Sequence, residues 1–335
     1  MSKFKIALLS GDGIGPVMGK EAGRLLELLG QKHGFTCELT TLPFGKDAFE
    51  QYGDLLPEET VAGIRAADAA LLSAVDAKGV KGPTPLGSLR KKLDLYADVR
   101  TIRSRPGRWS LYENLDLVTI RDVTQGFLSD RNLFAGHGEW MSDEETAFSM
   151  RVITYSASKR IADYAFRYAL QCGKSKVTAV HKASIFKMTC GTFLKACRDT
   201  AALYPSLQYS EEVVDDVANR LIADPQRYDI LLTTNLFGDI LSDEAAALVS
   251  SLAPSVNEGT DTRVYLPVKV SPAYDLLQAD TFDPLPTLLC LQMMLQNLTM
   301  QSAAKELDEA ISFILALPTC PTSELLNALR QRLGA

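Results

Sequence analysis

The sequence predicts an α/β protein with a mostly parallel sheet, and three observations carry that prediction. Short apolar runs of strand type alternate with stretches whose apolar residues recur at helical spacing, from the first ten residues onward. Glycine and proline fall at the joints between them, where turns need them. The 335 residues, 46% hydrophobic and 23% charged, are enough for two domains or one large α/β unit with a proper core.

In order, residues 5–10 form an apolar strand closed by Gly11-Asp12-Gly13, and residues 16–29 repeat apolar positions at helical spacing. Pro16 suits the first turn of that helix, where its missing N–H costs nothing. A second strand spans 36–42, a helix opens at Pro57-Glu58-Glu59 and runs to 67, and an apolar strand covers 69–75. This βαβαβ order is what predicts parallel pairing with helices on the faces of the sheet. Strands at 117–120, 176–180 and 229–233 then alternate with helices at 159–171, 191–202 and 239–252. The end is helical, at 287–300, 303–317 and from 323. No repeat or low-complexity tract interrupts the chain, and the best joints are 104–109 (Ser-Arg-Pro-Gly-Arg-Trp) and 250–257. They predict a discontinuous large domain, 1–103 plus 255–335, around a smaller one, 104–254.

With 35 basic and 41 acidic side chains the net charge is −6, which argues against a nucleic-acid binder. No apolar stretch approaches the about 18 residues of a membrane span. The run 6–9 is too short for a signal peptide and flows directly into Ser10-Gly11. Six cysteines at scattered spacings, with no CxxC pair, fit free thiols in a reducing cytoplasm better than disulfides or zinc.

Four groups of residues could carry chemistry. Gly11-Asp12-Gly13-Ile14-Gly15-Pro16 follows a strand and precedes a helix, but the third glycine of the dinucleotide fingerprint would fall on Pro16. A tight turn that needs positive φ explains it equally well. Asp239 and Asp243, four apart at the start of a predicted helix, share one face, and Asp215 lies 24 residues before the first of them. An all-oxygen set suits Mg²⁺ or Mn²⁺; the competing reading is a helix N-terminus stabilised by acidic residues. Arg90, Arg100 and Arg121 could grip a small carboxylate by bidentate bonds, or be solvated surface arginines. Lys182 follows a buried-looking strand and could serve as a base, or simply face water. His33, His137 and His181 are too few and too scattered to hold a metal.

Taken together, four stretches resemble the β-decarboxylating dehydrogenases that include isocitrate and 3-isopropylmalate dehydrogenases, the latter being nearest. They are Gly11 to Pro16, Leu89-Arg90-Lys91-Lys92-Leu93-Asp94-Leu95-Tyr96-Ala97-Asp98-Val99-Arg100, Val177-Thr178-Ala179-Val180-His181-Lys182-Ala183 and Asn235-Leu236-Phe237-Gly238-Asp239-Ile240-Leu241-Ser242-Asp243-Glu244-Ala245-Ala246, in family order and spacing across 3–257. The resemblance implies an isopropylmalate-dehydrogenase-like fold of two α/β domains, distinct from a standard Rossmann fold. It implies a metal site of Asp215, Asp239 and Asp243, a malate clamp of Arg90, Arg100 and Arg121, and Lys182 helping to deprotonate the hydroxyl as hydride leaves for NAD(P). The oxo acid then loses its β-carboxylate as CO₂, with the metal as Lewis acid. It further implies a homodimer in which each site takes the lysine and the first aspartate from the partner subunit. The positions it implies for the dinucleotide are Ile14, Ser271, Asp275 and Asp283.

Two departures from the family pattern stand out. A tyrosine that helps protonate the enol is replaced by Leu128, or by Phe134 in an alignment with an insertion, and neither side chain has a hydroxyl. In the cofactor loop, Leu266-Pro267-Val268-Lys269-Val270-Ser271-Pro272-Ala273-Tyr274-Asp275, the family's adenine-stacking histidine is Lys269 and its glycine Val270. The acidic residue for the ribose falls on Tyr274, or on Asp275 after a one-residue slip. The early loop has Ser73 and Asp76 where the family usually has glycines. NAD is therefore the expected cofactor, with NADP the alternative that Lys269 would favour. Before Arg90 stand Thr84, Leu86 and Gly87, in which Leu86 favours an apolar substituent, Gly87 enlarges the pocket and Thr84 leaves a polar option. The expected substrate is a 3-substituted malate. The competing functions are a metal-dependent decarboxylase or lyase that has dropped the dinucleotide, and a carboxylate-binding regulatory subunit.

Overall fold

A computed structural model describes residues 2–76, 78–79, 84–127 and 138–334. The elements follow in the order β1 (Ser2–Leu9), α1 (Gly15–His33), β2 (Phe35–Leu42), α2 (Lys46–Tyr52), α3 (Glu58–Arg65), β3 (Ala69–Leu72), α4 (Pro85–Lys92), β4 (Ala97–Arg103) and β5 (Asp116–Asp122). After them come β6 (Glu139–Met141), β7 (Ala147–Ser149), α5 (Tyr155–Gln171), β8 (Lys176–His181), α6 (Lys187–Ala201), β9 (Gln208–Val213), α7 (Val214–Ala223), β10 (Ile230–Thr233) and α8 (Asn235–Ala247). The chain closes with β11 (Pro254–Glu258), β12 (Arg263–Pro267), α9 (Tyr274–Gln278), α10 (Leu285–Asn297), α11 (Gln301–Leu315) and α12 (Thr322–Arg332). Local chemistry explains the ends. Pro16 sits in the first turn of α1, and Gly34 closes it at φ 75°, returning its N–H to the Gly30 carbonyl. Thr154 caps α5 by accepting the Ala157 N–H. Among the described residues no helix is long and apolar enough to cross a membrane, and all six cysteines are unpaired, three buried and Cys172 exposed.

The chain divides into two units: residues 1–93, 104–110 and 249–335, and residues 94–103 and 111–248. The sequence-based boundary at 103 gives way because β4 pairs along its whole length with β5, Ala97 to Asp122 through Arg103 to Asp116. Residues 104–110 return to the first unit, where Arg105 binds Asp308 at 2.7 Å and Arg108 binds Asp283 at 3.0 Å. The far boundary moves from 254 to 248 because Val249 already leads into β11, which pairs with β12.

In the first unit the strands run β2-β1-β3-β12-β11, parallel except for β11. The second half of β1 and all of β3 are buried on both faces, with Ile6, Ala7, Leu8 and Leu9 buried, as a parallel sheet covered by helices requires, while the edge strand β2 is largely exposed. In the second unit the order is β4-β5-β10-β8-β9, parallel except for β4. Parallel strands put their carboxyl ends on one edge, so the residues that leave β5, β8, β9 and β10 open the same side of that sheet, where open α/β sheets bind ligands. A separate hairpin, β6–β7, stacks Trp140 on Phe148 at 5.4 Å, both rings exposed.

Candidate active site

At the carboxyl edge of the second unit, Arg121 ends β5 with only 3% exposure. A buried guanidinium is tolerable only when paired and hydrogen-bonded, which overturns the solvated-surface reading. Nε donates to Asn235 Oδ1 at 2.9 Å and Nη1 to Asp239 Oδ1. The glycine of Asn235-Leu236-Phe237-Gly238-Asp239 makes this possible, since a Cβ on Gly238 would fall 2.8 Å from the Cβ of Arg121 and 2.1 Å from Thr233 Oγ1. Arg100, on β4, is 6% exposed and binds buried Asp98 through Nε and Nη2 at 3.2 Å. Its Nη1 reaches Asp243 Oδ1 at 2.5 Å, and Nη2 lies 3.9 Å from Asp239 Oδ1. Burial works to lower the pKa of Arg100, but Asp98 and Asp243 outweigh it and raise it.

Helix α8 begins at Asn235 rather than at Asp239, so Asp239 lies beyond the first turn, which holds no acidic residue. Helix-end stabilisation therefore does not account for Asp239 and Asp243. They project from one face, their side chains 49% and 60% exposed, each giving Oδ1 to an arginine. Among the described contacts Oδ2 of each is without a partner. A pair of half-exposed carboxylates held in place by buried arginines fits a hard divalent cation by donor chemistry.

Lys182 follows β8, and its Nζ donates to both oxygens of Asp215 at 2.5 Å. Asp215 sits in the first turn of α7, a helix the sequence analysis did not predict, and the lysine holds its carboxyl below the usual range. His181 Nδ1 accepts the Ala183 N–H at 3.0 Å, which fixes the turn, and burial lowers the pKa of that imidazole. Among the described residues no three His, Cys, Asp or Glu side chains gather as a metal set within one chain. Asp239 and Asp243 are brought together, while Asp215 is brought to Lys182.

In the first unit Arg90, on α4, donates from Nε to Asn257 Oδ1 on β11 at 2.6 Å. Thr84 caps α4 by accepting the Gly87 N–H at 3.1 Å, and Leu86 stands one turn before Arg90 on the same helix face. The glycines of the first loop serve close packing. Gly11 and Gly13 have φ of 61° and 60°, and a Cβ on either would fall 2.0 Å from a backbone oxygen, of Ala74 and of Pro272 respectively. The Ile14 N–H donates to the Pro272 carbonyl at 2.9 Å and the Val75 N–H to that of Val270 at 3.0 Å, joining three loops at the ends of β1, β3 and β12. Of the positions expected for the dinucleotide, Ile14 is largely buried, Ser271 is exposed on the third loop and Asp275 in the first turn of α9, and Asp283 binds Arg108 and accepts the Leu285 N–H at 3.0 Å. Lys269 and Ser271 on the loop after β12, and Tyr274 and Asp275 in the first turn of α9, are exposed. The positions that replace the family tyrosine, Leu128 and Phe134, lie outside the described residues, as does His137.

Sequence reasoning missed Asp98, Asn235 and Asn257, which orient the three arginines. Each is a buried polar residue, Asp98 and Asn235 at the start of β4 and α8 and Asn257 near the end of β11; the available signal was Asn235, a polar side chain between the apolar residues 230–232 and 236–237.

Residues 5–331 match the family described as isocitrate/isopropylmalate dehydrogenase. The chain is 38% identical over 309 residues to a 3-isopropylmalate dehydrogenase of Archaeoglobus fulgidus, covering 92% of this chain and 90% of that protein. It is 33% identical over 330 residues to a homoisocitrate dehydrogenase of Methanocaldococcus jannaschii, covering 93% and 90%. It is also similar to the crystal structure of isocitrate dehydrogenase from Methylococcus capsulatus, with a TM-score of 0.88 and 32% identity over 98% of this chain and 99% of that one.

Proposed function

The chain belongs to the isocitrate/isopropylmalate dehydrogenase family, and from that premise we propose that it oxidises and decarboxylates a 3-substituted malate, with NAD(P) as hydride acceptor and Mg²⁺ or Mn²⁺ bound. The observation that carries this reading is the pairing of buried Arg100 and Arg121 with half-exposed Asp243 and Asp239 at the carboxyl edge of a parallel sheet.

Asp239 and Asp243, with the partner subunit's Asp215, would hold the cation, which supplies Lewis acidity toward the oxygen on C2 of the acid. Arg100 and Arg121, fixed by Asp98 and Asn235, present donors to the substrate carboxylates. Lys182 takes up the hydroxyl proton as hydride departs from C2, and Asp215 stabilises the ammonium that results. Neither Leu128 nor Phe134 can protonate the enol, so that proton comes from another donor. Leu86, one turn before Arg90 on α4, is the side chain that favours an apolar substituent of isopropyl type over a third carboxylate.

Lys182 and Asp215 complete the partner's site in a homodimer. Supporting this, Ile185, Met188 and Ile240, which flank Lys182 and Asp239, are 66%, 83% and 60% exposed, an apolar surface suited to a second copy. The six free cysteines favour the cytoplasm as its location.

Titration with NAD⁺ and NADP⁺ in the presence of Mg²⁺ and, in turn, 3-isopropylmalate, isocitrate and homoisocitrate tests the proposal by absorbance of the reduced nicotinamide. Reduction fastest with 3-isopropylmalate is expected. No reduction with any acid, while acid and Mg²⁺ together still raise Tm, would overturn the hydride step.

A further inference from the structure

Arg151, between β7 and α5, has no part in the steps above, yet it touches three segments of the second unit that adjoin the residues carrying them. Gly126 and Val152 exchange two backbone bonds, at 2.7 and 3.0 Å, which plants Arg151 beside the loop that leaves β5 after Arg121. The guanidinium carbon lies 5.8, 4.9 and 5.4 Å from the ring centres of Phe127, Phe186 and Phe237. Nη1 donates to Thr189 Oγ1 and approaches Cys190 Sγ at 3.5 Å, while Nη2 donates to Thr234 Oγ1 at 3.3 Å.

These contacts fall on three functional segments. Phe127 lies on the Arg121 loop, itself pinned by buried Asp122 and Gln125, the latter accepting the Thr154 N–H at 2.7 Å. Thr234 and Phe237 open α8, which carries Asp239 and Asp243. Phe186, Thr189 and Cys190 open α6, directly behind Lys182. The fully buried Cys190 sulfur also accepts the backbone N–H of Lys182 at 3.4 Å, so the guanidinium and the lysine turn share one atom. A planar fork with two faces can bond in its plane and meet rings above and below, which an ammonium cannot do at once.

We propose that Arg151 is a positioning residue that holds the Lys182–Asp215 pair and the Arg121–Asp239 pair in a fixed mutual register. Its catalytic consequence rests on the reading that Lys182 and Asp239 of one chain serve different sites of a dimer. On that reading Arg151 is the side chain through which one site is mechanically joined to its neighbour.

The test compares wild type, Arg151→Met and Arg151→Lys on three readouts. Arg151→Met is expected to lower kcat at saturating acid and Mg²⁺ by roughly 10- to 100-fold, the scale of a displaced catalytic group. KM for the dinucleotide should stay within about two-fold, because only the chemical step loses its geometry. Arg151→Lys recovers part of kcat, since it keeps the charge over the rings but loses one arm of the fork. Independently of activity, hydrogen exchange should rise in the segments holding Lys182 and Asn235, and iodoacetamide should label Cys190 in the native Met variant, read by mass spectrometry. A lower Tm with unchanged kcat in the folded fraction, or unchanged exchange at both segments, overturns the proposal. Absence of turnover by wild type with all three acids refutes the proposed function instead, and the exchange data then still decide whether Arg151 ties the two turns together.

Discussion

Each unit places a cluster of charged groups at the carboxyl ends of its parallel strands, and the two clusters have opposite fates. In the first unit Asp12, 1% exposed, accepts the Lys46 N–H at 2.8 Å and the Asp76 N–H at 2.7 Å. Asp76 accepts Lys46 Nζ at 2.7 Å and the Lys78 N–H at 2.8 Å. All four carboxylate oxygens are engaged by the chain itself. Burial pushes the Asp12 carboxyl up, while Lys46 holds Asp76 below the usual range. In the second unit the deeply buried members, Arg100, Arg121 and Asp98, are likewise satisfied, but Asp239 and Asp243 keep an oxygen each on the exposed face of α8. Position at a strand end is therefore not what marks a ligand site. The mark is charge held rigidly from behind and left unsatisfied in front.

The largest expected effect comes from removing such a front-facing charge. In Asp239→Asn the amide oxygen can still accept from Arg121, so the fold survives with a moderately lower Tm as buried Arg121 loses its counter-charge, whereas a divalent cation loses a formal negative ligand. kcat/KM should fall at least about 100-fold, with Mn²⁺ affinity by calorimetry falling in step. Unchanged metal affinity and turnover would remove the distinction between the two clusters.

Asp12→Ala is the converse experiment. It strands two buried backbone N–H groups, a loss of about 2 kcal/mol, or roughly 4–8 °C in Tm for a unit of this size. The expected signature is a thermal one, with KM for the acid unmoved. A dinucleotide KM that rises while Tm holds would make the first cluster a ligand site after all.

How much of this was legible in the sequence depended on which side of each site a residue occupies. The front-facing groups, Asp239, Asp243 and Lys182, stand beside apolar runs of clear periodicity and were found, as were Arg100 and Arg121 behind them. Their polar supports, Asp98 and Asn235, were not given a role. Strand β4, Ala97-Asp98-Val99-Arg100-Thr101-Ile102-Arg103, alternates charged and apolar residues as a surface strand would. Its Asp98 and Arg100 are buried because β5 presents Arg121 and Thr119 opposite them, a pairing that no local pattern announces. Strand β9 and helix α7 were missed for a related reason. Glu211 and Glu212 sit inside β9 paired with Arg198 on α6 and Arg220 on α7, contacts that the local run of charges does not announce. The glycines of the first loop were seen, but their cause, contact with Ala74 and Pro272, lies 60 residues and more away.

The smallest effect sharpens the comparison through pH. Lys46 is bound to Asp76 at 2.7 Å, and the hydrogen bond from that lysine is the main reason the carboxyl titrates low. A depressed folded-state pKa contributes stability that is present above the unfolded-state value of about 3.9 and is lost as pH falls through the lowered folded value. Lys46→Met removes the hydrogen bond and the attraction while the Lys78 N–H still lowers Asp76 somewhat. The Tm curves of wild type and Lys46→Met should therefore converge toward acid and separate above about pH 4, by only about 1–3 °C because the lysine is solvated. The rise in Tm on adding Mg²⁺ should be clearly smaller for Asp239→Asn than for wild type, since that carboxylate binds the ion, and unchanged for Lys46→Met. Equal responses of both variants to Mg²⁺ would mean that the ion reaches the first cluster as well, and that its closed set of bonds opens in solution.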